Sequence, residues 1–220
     1  MAKAYIFLGA PGAGKGTLGE IFCKKTGVIH ISTGQLLRDE MAAGTELGKT
    51  VKELIASGAL VSDEIVTAMV ANRLAKADVA EKGVMLDGYP RTLAQSESLT
   101  EILSKSSLET GVAVLIDTPR EILMQRLTGR RLCSNKECGA SYNIYTAKPA
   151  KEGICDRCGS KLIQRADDTE ETAINRLKIY DTQTAPVIDY YKNRGELKVI
   201  PNQDAPIEEN YAKMTVILGL

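Results

Sequence analysis

A glycine-rich segment with one lysine follows the first apolar run of the chain. Residues 9–17 read GAPGAGKGT and come directly after residues 4–8, AYIFL. Glycines allow successive backbone N–H groups to point at one phosphate chain, and the N-terminus of the following helix adds positive potential. Lys15 supplies a charge that reaches the β- and γ-phosphates of a nucleotide. The segment predicts a phosphate-binding loop that contacts its ligand through Gly12, Ala13, Gly14, Lys15, Gly16 and Thr17.

The residue after this lysine departs from the general phosphate-loop pattern. The pattern G-x-x-x-x-G-K-[ST] places there a hydroxyl that ligates Mg²⁺, whereas this chain has Gly16 and brings Thr17 one position later. Mg²⁺ accepts a site made of nucleotide oxygens and retained water. A small-molecule kinase therefore fits better than a GTP-dependent switch, which would also need a base-reading N-K-x-D. Residues 135–138 match that motif only in part, since they read NKEC.

Short apolar runs alternate with segments of helical length along most of the chain. The runs cover residues 4–8, 28–31, 84–86, 112–116 and 197–200 and are mostly β-branched. This alternation predicts an α/β fold, a P-loop three-layer architecture with a five-stranded parallel sheet covered on both faces. Helices are predicted to begin after Ser62, at Pro119 behind a Thr118 cap, and after Thr169, the last running to about residue 191.

Two segments interrupt the alternation. Residues 32–61 read as short helices without a strand between them, and residues 127–165 contain most of the cysteines, several aromatic residues and Pro149. Ligands of open α/β sheets bind at the carboxyl ends of the strands, where such insertions lie. We therefore expect a core domain made of residues 1–31, 62–126 and 166–220, a helical nucleotide-binding insertion at 32–61, and a small metal-binding lid at 127–165.

The composition favours a soluble globular protein without a nucleic-acid or membrane partner. The 220 residues include 28 basic and 28 acidic side chains, so the net charge of zero gives no support to nucleic-acid binding. No apolar run approaches the roughly 18–20 residues that span a bilayer, and nothing like a targeting segment precedes the first strand. We expect a cytoplasmic protein.

Four of the five cysteines have the spacing of metal ligands. Cys133 and Cys138 are followed, after a gap of 16 residues, by Cys155 and Cys158. Four sulfurs suit tetrahedral Zn²⁺ and leave no open position for chemistry, so we expect a structural metal that stabilises a small lid. Disulfides are the main alternative, although a reducing cytoplasm disfavours them, and iron accepts the same ligands. Cys23 stands apart, and we expect it to be a buried small hydrophobe.

Five motifs, in order, resemble those of the adenylate kinases. They are the loop at residues 9–17, the step Ser32-Thr33-Gly34 with Arg38, the box Asp87-Gly88-Tyr89-Pro90-Arg91, the turn Arg126…Gly129-Arg130-Arg131, and Arg165 followed by Asp167 and Asp168. The match covers essentially the whole chain, and the cysteines are similar to those of the family's long lid. One departure is the first cysteine pair, which encloses four residues where that lid usually has two. The resemblance implies a monomer that reversibly transfers the γ-phosphoryl group of Mg·ATP to AMP, giving two ADP.

Arginines carry the chemistry that this resemblance implies. Phosphoryl transfer needs alignment and positive charge on the transferring oxygens, and guanidinium groups match phosphate geometry. The implied catalytic residues are Lys15, Arg91, Arg126, Arg130, Arg165 and Arg176. Arg126 and Arg130 are implied contacts to ATP, and they would share a face if one helix carries both. The implied contacts to AMP are Thr33, Arg38, Gly88, Arg91, Gln95, Arg165 and Arg176.

Several polar residues have competing interpretations. Asp87 ends a predicted strand and opens the motif box, so we expect it, rather than Asp117, to orient Mg²⁺ and its waters. By resemblance, Thr33 and Gln95 lie beside the acceptor adenine, where an amide can donate and accept at once. We expect His30, the one histidine, to be a core or edge residue with satisfied hydrogen bonds.

Three further expectations concern the C-terminal part and the rival functions. Asp167 and Asp168 suggest an acid–base pair, but the cations around them favour ion pairs with the lid arginines. The backbone of residues 202–205 is expected near the ATP adenine. A UMP- or CMP-type nucleoside monophosphate kinase remains the closest alternative. A zinc-ribbon module that binds nucleic acid is disfavoured by the zero net charge and the complete phosphate loop.

Overall fold

The computed structural model describes residues 2–202 and 205–220. Its strands are β1 (Lys3–Leu8), β2 (Ile29–Ser32), β3 (Val84–Asp87), β4 (Glu109–Asp117), β5 (Arg130–Cys133), β6 (Ser141–Asn143), β7 (Leu162–Ile163) and β8 (Leu197–Pro201). Its α-helices are α1 (Lys15–Thr26), α2 (Thr33–Ala43), α3 (Glu46–Ser57), α4 (Asp63–Leu74), α5 (Ala77–Lys82), α6 (Leu93–Ser104), α7 (Arg120–Gly129), α8 (Glu170–Ile179), α9 (Ala185–Asn193) and α10 (Ile207–Leu218). None of the helices in these residues is long and apolar enough to cross a membrane.

The central sheet confirms the predicted fold class. It has five parallel strands in the order β2-β3-β1-β4-β8. Four of them contain a whole apolar run, and β2 contains the run 28–31 except for Val28. In register, Ile6 of β1 lies between Leu86 of β3 and Ala113 of β4. All five carboxyl ends therefore face the same edge, where a parallel sheet of this class binds its ligands.

Helices cover both faces of the sheet because its central strands are apolar on both sides. In β1, Ala4, Ile6 and Leu8 belong to a core that they share with α2 to α6 and α9. Phe7 faces the other way, into a second core with α1, α7, α8 and α10. Strand side chains alternate between faces, so one short apolar run contributes to two hydrophobic layers. This three-layer packing holds the phosphate loop on a rigid strand.

The helix starts agree with the sequence except at α7. Thr169 caps α8, its hydroxyl accepting a hydrogen bond from the backbone N–H of Thr172. Ser62 precedes α4 as predicted, but its side chain makes no capping hydrogen bond. At α7 the predicted Thr118 cap is wrong, because Pro119 itself occupies the N-cap position and its carbonyl accepts the first helical bonds. The hydroxyl of Thr118 instead points to the carbonyl of Ala13 in the phosphate loop.

The long C-terminal helix predicted from Thr169 to about residue 191 is present, with an interruption. Between α8 and α9 the residues Tyr180–Thr184 form a π-helical segment. Pro186 lies in the first turn of α9. A proline cannot donate to the preceding turn, and its ring clashes with the carbonyl four residues earlier, so the helix widens there.

The two segments that break the alternation differ in local structure: the first has the predicted short helices, and the second has a sheet that the sequence did not predict. Residues 32–61 contain α2 and α3, joined at Gly44. Residues 127–165 contain a small antiparallel sheet in the order β6-β5-β7. Helix α3 ends against α8, where the side chain of Asn175 donates to the carbonyl of Ser57 at 2.7 Å. Both segments lie beside the carboxyl ends of the central strands.

Candidate active site

The phosphate loop lies between β1 and α1 at the carboxyl edge of the sheet. Gly14 occupies the N-cap position of α1, and Lys15, Gly16 and Thr17 form its first turn. Gly9 has a φ of +142°, and a Cβ there would lie 2.8 Å from the carbonyl oxygen of Ile116 on β4. Only glycine therefore allows the loop to pass so close to this strand. The loop leaves the N-terminus of α1 open at the sheet edge, an arrangement that binds phosphate.

Lys15 is held over the loop. Its Nζ donates to the carbonyl oxygens of Gly9 and Ala10 at 2.8 and 3.0 Å. Withdrawal from water lowers the pKa of Lys15 to about 8, Asp87 opposes the shift, and nearby arginines such as Arg91 add to it. A polyphosphate would favour the protonated form, so this lysine is suited to an anionic ligand.

Five arginines from separate parts of the chain converge beside the loop. They are Arg38 on α2, Arg91 after β3, Arg130 on β5, Arg165 after β7 and Arg176 on α8. Burial lowers the pKa of four of them, that of Arg165 to about 10, and the mutual repulsion of these cations acts in the same direction. All four still remain protonated at neutral pH. A cluster of partly desolvated cations attracts a highly charged anion.

Two neighbouring carboxylates hold part of this cluster in place. Asp168, fully buried, accepts two hydrogen bonds from Arg130, the one from Nε at 2.8 Å. Asp167 accepts from Nη1 of Arg176 at 3.0 Å. The ion-pair interpretation of this aspartate pair is confirmed, and it extends beyond the lid to an arginine of α8. The two guanidinium groups are therefore fixed before any ligand binds.

Arg126 and Arg165 have different surroundings. Arg126 does not share a helical face with Arg130. Helix α7 ends at Gly129, and Arg130 already belongs to β5. Arg126 nevertheless reaches the loop, since a Cβ on Gly14 would lie 3.9 Å from its Nη1. Nε of Arg165 is buried and has no hydrogen-bond partner among the described residues. A buried donor without a partner is uncommon in folded proteins, and an anionic oxygen is the kind of group that could satisfy it.

Two clefts open at this edge of the sheet and meet at the arginines. The first, with an empty volume of about 620 Å³, is lined by Thr33, Arg38, Gly88, Gln95 and apolar residues of α2 to α4. The second, of about 570 Å³, is lined by Gly9, Pro11 and Lys15 of the phosphate loop. Arg91 and Arg176 line both clefts. Two ligands could therefore present their phosphates to the same cations.

Gly88 connects the side chains of the first cleft. It has a φ of +79°, and its carbonyl accepts from Thr33 Oγ1 and from Arg91 Nε, both at 2.8 Å. A Cβ on Gly88 would lie 2.8 Å from Nη2 of Arg91 and from the hydroxyl of Thr33. The glycine is required both by the left-handed conformation and by the close approach of these two groups.

We expect Gly88→Ala to destabilise the protein by about 2 kcal/mol and Gly44→Ala by about 1 kcal/mol. Both glycines have positive φ, but a Cβ on Gly44 would meet nothing within 4 Å. The larger loss of stability in Gly88→Ala comes from the displacement of Thr33 and Arg91, which a Cβ on Gly88 would contact. Urea unfolding of the two variants measures it, and equal losses would show that the close approach carries no energy.

Asp87 ends β3 and directly precedes Gly88, which lines both clefts. A Cβ on Gly16 would lie 3.5 Å from Oδ2 of Asp87, so the carboxylate faces the start of α1.

The expectation that His30 has its hydrogen bonds satisfied is wrong. Its Nε2 is buried without a hydrogen-bond partner in the described part of the chain and lies 3.9 Å from Asp87 Oδ2. Burial lowers the pKa of His30, against the attraction of Asp87.

The four lid cysteines cluster as predicted. Their sulfur atoms all lie within 4.8 Å of one another, with Cys133 to Cys158 at 3.4 Å and Cys138 to Cys155 at 3.7 Å. Four sulfurs about 2.3 Å from a central ion have similar separations, so the cluster could hold zinc. Burial raises the pKa of Cys155, but hydrogen bonds from Tyr142 and two backbone N–H groups outweigh it and lower the pKa to about 6.

The wider spacing of the first cysteine pair is absorbed by a local turn. The side chain of Asn135 accepts a hydrogen bond from the backbone N–H of Glu137 at 3.0 Å. The backbone carbonyl of Asn135 accepts from the N–H groups of Cys138 and Gly139. The chain therefore returns Cys138 to the cluster despite the two additional residues. The lid has only a small apolar core, which consists mainly of the cysteines themselves, Ala140, Tyr142 and Leu162.

Sequence reasoning missed two side chains at the site. Asp63 accepts hydrogen bonds from Thr92 and Gln95, yet the sequence marks it only as the start of a helix. Asn202 donates to the carbonyl of Ala13 at 3.0 Å and joins the phosphate loop to α10 through Asn210. No motif points to Asp63, and the expectation for residues 202–205 concerns backbone groups and adenine, so it does not identify this side-chain bond of Asn202. The expected adenine contact at 202–205 falls on a stretch in which Gln203 and Asp204 lie outside the described residues.

Two clefts that meet at common arginines can hold two phosphate chains end to end, as the transfer of a phosphoryl group between nucleotides requires. Together with the phosphate loop on a parallel sheet, this geometry defines a P-loop phosphotransferase of the nucleoside monophosphate kinase class.

Comparison with known proteins gives the family. The model of the adenylate kinase family matches residues 7–196. An adenylate kinase of Clostridium tetani is 44% identical over 216 residues, which are 97% of each chain. Those of Thermodesulfovibrio yellowstonii and Kosmotoga olearia are 47% and 48% identical, over 97% and 89% of each chain. The chain belongs to the adenylate kinase family, and the UMP- or CMP-specific alternative is not favoured.

Proposed function

We propose that this chain reversibly transfers the γ-phosphoryl group of ATP to AMP, giving two ADP, at the junction of the two clefts. The observation that carries the proposal is the pair Arg91 and Arg176, which lines both clefts. ATP would occupy the cleft of the phosphate loop, and AMP the cleft lined by Thr33, Arg38 and Gln95. The acceptor is already an anionic phosphate oxygen, so the reaction needs alignment and charge neutralisation rather than a strong base.

Each cation has a proposed role that follows from its place. Lys15 contacts the β- and γ-phosphates of ATP, and Arg126 and Arg130 bind the ATP phosphates from the lid side. Arg38 and Arg91 hold the phosphate of AMP. Arg165 and Arg176 lie where the transferring group passes, and the orphaned Nε of Arg165 would gain its partner from a phosphate oxygen.

The carboxylate of Asp87 fits an ion that is bound through water. It ends β3 beside the first turn of α1, and Gly16 leaves the space in front of it open. Magnesium bound with ATP would neutralise charge on the transferring phosphates. Asp87 would orient the water ligands of that ion, and Thr17 is one position too far along α1 to replace the usual hydroxyl ligand.

We also propose that the two insertions close over the nucleotides. Residues 32–61 would cover AMP and residues 127–165 would cover ATP, while residues 1–31, 62–126 and 166–220 form the core. Closure excludes water, which would otherwise compete with AMP as the acceptor. Zn²⁺ held by Cys133, Cys138, Cys155 and Cys158 would stabilise the lid and take no part in the transfer. All proposed site residues belong to one chain, so a monomer suffices.

The test is ADP formation from Mg·ATP with AMP, UMP, CMP and GMP supplied separately as acceptors. We expect turnover with AMP to exceed that with the other acceptors by at least tenfold in kcat/KM. A preference for UMP or CMP would keep the phosphate roles and discard the base assignment. Absence of transfer to every acceptor would refute the proposed function.

A further inference from the structure

The side-chain amide of Gln95 is held by two hydrogen bonds from opposite sides of its functional group. Its Nε2 donates to Oδ1 of Asp63 at 2.7 Å, and its Oε1 accepts from the backbone N–H of Arg91 at 2.7 Å. The second oxygen of Asp63 accepts from the hydroxyl of Thr92, also at 2.7 Å. Gln95 is only 2% exposed, so water cannot easily replace these partners.

These contacts allow one orientation of the amide. A carboxylate only accepts hydrogen bonds and a backbone N–H only donates, so the NH₂ group of Gln95 must face Asp63 and the oxygen must face Arg91. Rotating the amide by 180° would place two acceptors together on one side and two donors on the other. Such mismatches leave buried polar groups unsatisfied and cost about 1–3 kcal/mol each.

The fixed amide keeps one N–H and one oxygen lone pair for a ligand. Gln95 lines the same cleft as Thr33 and Arg38. A 6-amino purine offers a donor, its amino group, next to a ring-nitrogen acceptor, and it matches this pair. A 6-oxo purine offers an oxygen acceptor next to a ring N–H donor, and would match only the rotated amide.

We propose that Asp63 is a positioning residue that fixes the amide of Gln95, so that the site accepts 6-amino purine monophosphates and rejects 6-oxo purine monophosphates. The inference rests on the proposed function, because it places the acceptor base beside Gln95. Asp63 itself acts through Gln95 and need not touch the base.

Asp63→Asn tests the proposal, because asparagine keeps the shape but can donate as well as accept. Glu64→Gln is the matched control, since Glu64 is exposed in the same first turn of α4 and the substitution removes the same charge from that turn.

AMP and inosine 5′-monophosphate are compared as acceptors with saturating Mg·ATP. In Asp63→Asn we expect the KM for AMP to rise about fivefold to tenfold, with kcat within twofold. The AMP-over-IMP ratio of kcat/KM should fall about tenfold. Glu64→Gln should match the unmodified protein.

A purely structural role for Asp63 gives a different pattern. It would lower the melting temperature and affect both acceptors equally, and an unchanged AMP-over-IMP ratio in Asp63→Asn would overturn the proposal. Gln95→Ala provides a second test that does not depend on the folding of the first variant. We expect it to lose the same discrimination, and full discrimination without Gln95 would also overturn the proposal.

The unmodified protein separates this inference from the proposed function. If it does not phosphorylate AMP, the proposed function fails and takes the role of Asp63 with it. If it phosphorylates AMP and Asp63→Asn keeps the ratio, only the role of Asp63 fails.

Discussion

Lys15→Met should reduce the turnover of Mg·ATP and AMP by about a thousandfold and leave the protein folded. The ammonium is held by the loop carbonyls of Gly9 and Ala10, in position to meet the β- and γ-phosphates. Methionine has a similar length but no charge. Partial burial already disfavours the charged lysine, as its lowered pKa shows, so the substitution should not lower the melting temperature. Initial rates and thermal unfolding measure the two effects.

The control for this substitution is Lys24→Met on the same helix. Lys24 is exposed near the end of α1, away from the loop, and its loss should leave turnover within twofold. Near-normal turnover of Lys15→Met would contradict the phosphate role.

The lowered pKa of Lys15 also predicts a pH dependence. The unmodified protein should lose kcat/KM for Mg·ATP as the pH rises through about 8, because the free protein then loses the ammonium of Lys15.

Cys158→Ser should remove the lid metal and lower the melting temperature by roughly 5–10 °C. Cys158 is one of four clustered sulfurs in a lid whose apolar core is very small. A metal that binds only the folded lid adds its binding energy to the stability of that lid. Of the lid arginines, Arg130 is held by Asp168 and not by the cysteine cluster, so kcat below the melting transition should change much less than metal content. Elemental analysis, calorimetry and initial rates give the three quantities.

Cys23→Ser is the matched control, because Cys23 lies on α1 and is not part of the cluster. It should retain about one metal ion per chain. If Cys158→Ser also retains its metal and its melting temperature, the structural-metal proposal is wrong. If Cys23→Ser loses metal as well, the four lid cysteines are not the whole site.

The sequence predicts the fold well because local signals and tertiary packing agree there. In β1 the run from Ala4 to Leu8 is apolar on both faces, and the structure buries both faces. The start of α8 is equally local, since Thr169 caps the helix with its own side chain. The phosphate loop combines both kinds of signal, a buried strand followed by glycines and a lysine.

The sequence predictions fail where contacts with distant parts of the chain determine the local structure. Helix α7 ends at Gly129 because the lid packs there: a Cβ on Gly129 would lie 2.6 Å from Asn143, and its carbonyl accepts from Ile144. Arg130 therefore leaves the helical face that its spacing suggests. Asp63 and Gln95 are 32 positions apart, and no spacing rule connects a helix start to an amide on another helix.

The most direct test of the central claim follows the phosphoryl group itself. ATP labelled with ³²P at the γ position is incubated with AMP, Mg²⁺ and the protein, and the products are separated. Direct transfer inside a closed site predicts that the label appears in ADP at its β-phosphate and that little appears in inorganic phosphate. Label that accumulates in inorganic phosphate, whether or not AMP is present, would mean that water is the acceptor, and would contradict the two-cleft account.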